Sequence, residues 1–211
     1  MKGKIRRYTS LPVLLDLLTH QRITLVSPML WEDKNDIFLL DRYADIYDFA
    51  FVGAVCLTQA NETFHHWKIF GGGNSGVCIE FHTEELQRYI LPHANVRMEL
   101  VKYLRVDGIS NNEIYPIDCL PFYKRLGFSA EEEVRIICSN QDDIDCYHIP
   151  IDLSSIVRVV ASPFLPDALL DGVRRTIHSI ANCASVRVDK SRLIESKTWT
   201  RKWKSRLRTV P

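Results

Sequence analysis

Apolar positions in this chain recur at two spacings, one helical and one strand-like, and the spacing changes every ten to fifteen residues. Residues 4–9 read as a strand. Residues 11–20 carry apolar side chains at helical spacing behind Ser10, which stands as the N-cap. A short strand over 22–26 precedes residues 27–36, whose Pro, Asn and Asp content predicts an ordered loop, and helix resumes over 37–47. The apolar run 51–58 predicts a buried strand, 62–70 a short helix and 75–81 another strand. Further on, the pattern gives helix over 84–91, extended chain over 95–103, helix over 117–126 and strands over 133–139 and 156–161. Pro163 and Pro166 then introduce a helix over 168–181, and 185–188 reads as a last strand. The irregular interleaving, without a βαβ repeat of even length, predicts an α+β fold rather than a doubly wound one. Its sheet is expected to be mixed or antiparallel, split, and flanked by helices. Residues 1–190 read as one domain and 191–211 as a tail.

Composition narrows the function classes mainly by exclusion. With 211 residues and 46% hydrophobic side chains the chain can bury a sizeable core as one domain. A net charge of +1 and a pI near 7.7 give no global pull toward nucleic acid or membrane. The apolar stretches 49–57 and 156–161 fall short of the about 20 residues needed to span a bilayer. The opening segment is interrupted by Pro12 and Asp16 and lacks a small-residue cleavage site, so no export signal is expected and a cytoplasmic location is. Cys56, Cys78, Cys119, Cys138, Cys146 and Cys183 contain no CxxC pair. Cys56, Cys78 and Cys138 lie in apolar runs, the usage of small buried hydrophobes in a reducing compartment.

Local chemistry is richer than the totals. Residues 197–208 contain Lys197, Arg201, Lys202, Lys204, Arg206 and Arg208, with Trp199 and Trp203 among them and no acid. On a helix the two tryptophans share a face, suited either to docking the tail on the domain or to stacking on nucleic-acid bases beside phosphate-binding cations. His65, His66 and His82 have no acidic or thiolate partner at a ligand spacing, so no metal is expected. The glycine run 71–76 lacks the Gly-Lys-Ser/Thr of a phosphate loop and precedes a strand, so it reads as a flexible connection bordering a pocket. Glu131-Glu132-Glu133 is either a solvated acidic turn or, in a strand, places Glu131 and Glu133 on one side.

Four stretches together resemble the uncharacterised prokaryotic family DUF2971. They are Arg7-Tyr8-Thr9-Ser10, the segment 25–36 ending in Asn35-Asp36, the set Cys56-Leu57-Thr58 with His66-Trp67 and Gly76-Val77-Cys78-Ile79-Glu80-Phe81, and Lys124 followed by Phe128 to Arg135. The chain departs from the family where Ile37 replaces a proline, where no glutamate follows Phe38, and where Phe128 replaces a tryptophan. More distantly, the order of these residues is similar to that of ADP-ribosyltransferases, which implies an ADP-ribosyltransferase-like fold with NAD as substrate. That resemblance makes Glu133 the catalytic carboxylate, Glu131 its partner, Arg7 or Arg135 the phosphate ligand, and Tyr8 and Thr58 supporting residues. It implies a toxin or phage-defence enzyme with a nucleic-acid or protein acceptor. Arg135 has an alternative partner in Glu133 or Glu131, as a structural ion pair. A non-catalytic binding or regulatory module is the rival. A third reading, a divalent-cation nuclease using Asp33, Asp36 and Glu133, lacks a DxD or ExK signature.

Overall fold

The computed structural model describes residues 1, 3–109, 114–204 and 206–207. In chain order the elements are β1 (Lys4–Ser10), α1 (Leu11–His20), β2 (Arg22–Val26), α2 (Lys34–Tyr47), β3 (Phe51–Thr58), α3 (Phe64–Ile69), β4 (Gly76–His82) and α4 (Thr83–Ile90). They continue as β5 (Val96–Leu100), β6 (Lys102–Leu104), β7 (Tyr123–Arg125), β8 (Glu133–Asn140), β9 (Cys146–Pro150), β10 (Ile156–Ala161), α5 (Asp167–Ser179), β11 (Val188–Lys190) and α6 (Lys197–Lys204). The α+β expectation holds, and the departures from the sequence pattern have local causes. The helix expected from residue 37 starts at Lys34, because the Asp33 carboxylate accepts a hydrogen bond from the Asn35 N–H at 2.9 Å and caps it. Asp36 thereby becomes a first-turn residue turned inward, only 3% exposed. The helix expected over 117–126 is a 3-10 turn over Ile117–Phe122 followed by β7, since Pro121 has no N–H for a continuing helical ladder. The extended stretch 95–103 divides between β5 and β6, which belong to different sheets. The last strand lies at Val188–Lys190, three residues later than expected, and β9 was not anticipated.

The main sheet runs β11-β10-β4-β1-β3-β2-β9, with β8 paired along β3 and β5 along β8. Its pairings are antiparallel except β10 with β11; β6 and β7 form a separate parallel pair. The sheet is split. β3 pairs with β8 over its whole length, from Phe51↔Asn140 to Thr58↔Glu133, but meets β1 only at Arg6↔Thr58 and β2 only at Val26↔Ala54. One face of the sheet is sealed by α1, α4 and α5, whose Leu14, Leu17, Leu18, Leu86, Ile90 and Ile177 are buried against Ile5, Val55, Leu57 and Ile79. Full burial of each such side chain stabilises the fold by about 1.5–3 kcal/mol. The opposite face carries two smaller clusters. Leu40 and Tyr43 of α2 pack with Phe122 on one half, and Trp67 of α3 packs with Tyr8, Cys78 and Val160 on the other.

The glycine run is a close-packed turn. A Cβ on Gly76 would lie 1.5 Å from the Gly71 carbonyl oxygen, and one on Gly71 would lie 2.7 Å from the Trp67 carbonyl oxygen. The run therefore presses the end of α3 onto the start of β4, where a side chain would separate them. At the other end of the chain α6 buries none of its residues. Trp199 and Trp203 pack edge-to-face on each other at 5.8 Å and remain 66% and 49% exposed, so neither docks into the domain. Among the described residues no helix is long and apolar enough to cross a membrane, and the six cysteines are free thiols.

Candidate active site

A cleft of about 70 Å³ opens on the second face, between α3 and β7, where β1 and β3 meet at their single pairing. Strand alternation decides which side chains reach it. Arg6 and Tyr8 of β1 line it, as do Cys56 and Thr58 of β3, with His66 and Phe70 at the α3 side and Lys124, Glu131 and Glu133 at the β7 side. Tyr8, Thr58, Glu131 and Glu133, singled out from the sequence, are thus brought together. Arg7 is not among them. It pairs with Ile79 on the strand and takes the face shared with Ile5, and burial lowers its guanidinium pKa to about 10. The cationic residue of β1 at the cleft is Arg6, whose Nε donates to Glu80 at 3.0 Å and whose Nη1 donates to the Ala60 carbonyl at 2.7 Å. The signal was available: Arg6 has the parity of Tyr8, two residues on.

Glu131 and Glu133 converge by a route the strand alternation did not describe. Glu131 ends a 3-10 turn and Glu132 adopts a left-handed φ of 42°, so only Glu133 belongs to β8. The Thr58 hydroxyl donates to the Glu131 carbonyl at 2.5 Å and accepts from the Ala60 N–H at 2.9 Å, fixing this turn against the end of β3. What draws the two carboxylates together is Lys124 on β7. Its ammonium lies 2.6 Å from Glu131, 3.2 Å from Glu133 and 3.3 Å from Asp36, and sits 4.8 Å from the centre of the Phe128 ring.

Arg135 lies beneath this group, 1% exposed, with its donors committed to protein acceptors. Nε and Nη2 grip the two Glu133 oxygens at 2.7 and 3.0 Å, Nη2 also reaches Asp36 at 3.0 Å, and Nη1 donates to the Pro121 carbonyl at 2.9 Å. It forms the structural ion pair that the sequence offered as the alternative to phosphate binding. The same cations stand between the acidic residues of the nuclease reading: Asp36 and Glu133 are both neutralised by Arg135 and Lys124. Among the described residues no group of three or more His, Cys, Asp or Glu could hold a metal ion.

The two glutamates are pushed apart electrostatically. Burial by itself would raise the Glu133 carboxyl, but Arg135 and Lys124 outweigh it and hold the pKa at about 2. Burial raises Glu131 as well, and there the single contact with Lys124 does not overcome it against the nearby charges of Glu133 and Asp36. Glu133 is a permanently charged, enclosed carboxylate. Glu131 is the more accessible one, its side chain 17% exposed, and it titrates above the ordinary carboxyl range. Lys124 stays protonated, since the three carboxylates outweigh the effect of its burial. Burial, then Glu133, push the Cys56 thiol well up, so it is no thiolate nucleophile.

Beyond the wall formed by Arg6 and Tyr8 lies a second cavity of about 300 Å³, bordered by Asn61, Glu62, Trp67, Cys78, Glu80 and Arg158. Arg158 pairs there with Glu80 at 2.7 Å and Asp189 at 3.1 Å.

No family model matches the chain, and no curated protein does. Among solved structures it is similar to Thermus sp. 2.9 DarT in complex with ADP-ribosylated ssDNA, at 8% identity and a TM-score of 0.47, over 90% of this chain and 94% of that one. The complexes of the same protein with NAD+ and with carba-NAD+ give TM-scores of 0.46 and 0.47, each at 8% identity over 90% of this chain and 95% of that one. A likeness at this level assigns neither an activity nor a residue role to this chain.

Proposed function

We propose that the cleft is the site of an NAD-consuming, ADP-ribosyltransferase-like reaction, in a protein of DUF2971 type serving a toxin or phage-defence system. The observation that carries this reading is the pair Glu131 and Glu133 gathered by Lys124 in a cleft that Arg6, Tyr8 and Thr58 also line. Of the two cavities flanking Arg6 and Tyr8, the second, at about 300 Å³, reaches the lower end of the 300–1,000 Å³ range of small-molecule sites, and the cleft, at about 70 Å³, is a smaller recess that a dinucleotide has to widen.

In the proposed reaction the bond from nicotinamide N1 to ribose C1′ breaks, and its electron pair leaves with nicotinamide. Positive charge then develops on the ribose. Carboxylates already ionised and fixed beside it offset that charge without reorganising, which is where electrostatic catalysis is strongest. Glu133 supplies the standing charge. Glu131 takes the proton of the incoming nucleophile as its lone pair bonds to C1′, a role suited to a carboxylate with a raised pKa. Arg6 takes the phosphate-binding part assigned from the motifs to Arg7 or Arg135, while Arg135 and Thr58 position the two glutamates. The acceptor is a nucleic acid or a protein. The basic face of α6 with its two exposed tryptophans suits a single-stranded nucleic acid.

One observation favours the rival module: Arg135 closes on Glu133 so completely that this carboxylate has little left to offer a ligand. Nicotinamide release from NAD separates the two. The transferase reading expects release by the wild-type chain and loss in both Glu131→Gln and Glu133→Gln; no release and no NAD binding at millimolar concentration by the folded wild type leaves the binding module.

A further inference from the structure

Outside the cleft, one nucleophilic side chain stands at the end of a chain of hydrogen bonds. β9 is the end strand of the sheet, two strands beyond β3, and its Cys146 and His148, two residues apart, share one side of it. Thr24 of β2 lies directly opposite His148 in the pairing, and Asp16 reaches Thr24 from α1. Cys146 Sγ is 3.5 Å from His148 Nε2, His148 Nδ1 is 3.1 Å from the Thr24 hydroxyl oxygen, and that hydroxyl is 2.9 Å from Asp16 Oδ2.

The acid at the far end sets the direction of the chain. Asp16 is ionised at neutral pH, its pKa lowered first by the hydrogen bond from Arg22, so its oxygens only accept. The Thr24 proton is therefore committed to Asp16, and the Thr24 oxygen is left to accept from His148 Nδ1–H. The neutral imidazole then turns the lone pair of Nε2 to Cys146, the arrangement in which a histidine takes the proton of a thiol. The other thiols lack it. Cys78, Cys138 and Cys183 are buried, burial pushes the Cys56 thiol up, and Cys119, half-buried like Cys146, has no hydrogen bond to an imidazole among the described residues.

From this geometry we infer that Cys146 is a site of reversible thiol modification by a low-molecular-weight disulfide, with His148 as its base and Thr24 as the residue that positions the base. A lone pair of Sγ bonds to one sulfur of the disulfide as the thiol proton passes to His148 Nε2. The S–S bond breaks, its electron pair leaves on the second sulfur, and the proton follows to that sulfur. A mixed disulfide and a free thiol result, with no further oxidant. His148 is exposed, so a small reagent reaches the pair from solvent, and the exposed Asp142, Asp143 and Asp145 beside Cys146 favour a cationic one.

The test uses cystamine, a small cationic disulfide, on the native chain at neutral pH, with each thiol followed over time by peptide mass mapping. Rates are read as the ratio of Cys146 to Cys119 within one sample, so that a change of fold does not pass for a change at the site. Cys146 is expected to be labelled about tenfold faster than Cys119 or more, and His148→Gln to remove that advantage. Thr24→Val is expected to lower the ratio and Thr24→Ser, which keeps the hydroxyl, to restore it. Dithiothreitol is expected to release the label. A ratio near one in the wild type, or a ratio that His148→Gln leaves unchanged, overturns the inference; a ratio lost in Thr24→Val and equally in Thr24→Ser overturns the positioning role.

Discussion

Replacing Glu133 and Glu131 in turn by glutamine perturbs two carboxylates that share one lysine and have opposite electrostatic histories. Glu133 is held by Arg135 and Lys124, which bring its pKa from the ordinary 4.5 to about 2. At about 1.4 kcal/mol per pH unit, that displacement corresponds to roughly 3 kcal/mol of folding free energy. Because the folded value is the lower one, the contribution is complete above pH 4.5 and disappears only as the pH falls through about 2. Measured near neutrality, Glu133→Gln should therefore lose roughly 3 kcal/mol, in line with the 3–5 kcal/mol typical of breaking a buried pair, and melt about 6–12 °C lower. Glu131 runs the other way: burial raises its pKa, so its charge is a cost to the folded state at neutral pH. Glu131→Gln should melt at or above wild type while abolishing nicotinamide release. The assay is urea denaturation at pH 7 for both variants beside the wild type, with release measured on the same samples. Equal destabilisation by the two substitutions refutes the division into an enclosed supporting charge and an open working one.

Nicotinamide release by the wild type should decline as the pH is lowered through the raised pKa of Glu131, because protonation removes the base; a rate flat across the acid range contradicts the role. Gly76→Ala should cost about 3 kcal/mol or more, or prevent folding, since the added Cβ would meet the Gly71 carbonyl, and thermal melts followed by circular dichroism check it. Trp199→Ala and Trp203→Ala should leave the melting temperature within about 1 °C, as neither side chain is buried in the domain, yet weaken binding of single-stranded DNA or RNA in a salt-dependent titration; unchanged nucleic-acid binding removes α6 as a contact.

The sequence made the strands legible wherever burial was continuous. The β3 run Phe51–Thr58 is apolar almost throughout because both of its faces are covered, and that pattern survives without knowledge of its neighbours. Pattern failed where a single residue overrode it. Pro121 turns a helical stretch into a 3-10 turn and a strand, and Asp33 draws the start of α2 back by three residues. The second of these matters for the site, because it is what turns Asp36 inward onto Arg135 and Lys124. Glu133, Tyr8 and Thr58, singled out by motif order, all line one cleft. On β1 the cleft is lined by Arg6 and not by Arg7, as the period of two that places Arg6 beside Tyr8 requires. Lys124 could not be given its role in advance, since the contacts that define it come from α2, the turn before β8 and β8 itself, and meet only in the folded chain.

The central claim is that the cleft between α3 and β7 takes NAD. A crystal structure of the chain grown with millimolar NAD tests it most directly. The account predicts the dinucleotide across Arg6 and Tyr8, with the nicotinamide ribose within hydrogen-bonding reach of Glu131. NAD bound elsewhere, or a cleft left without it in crystals of the folded chain, contradicts the account.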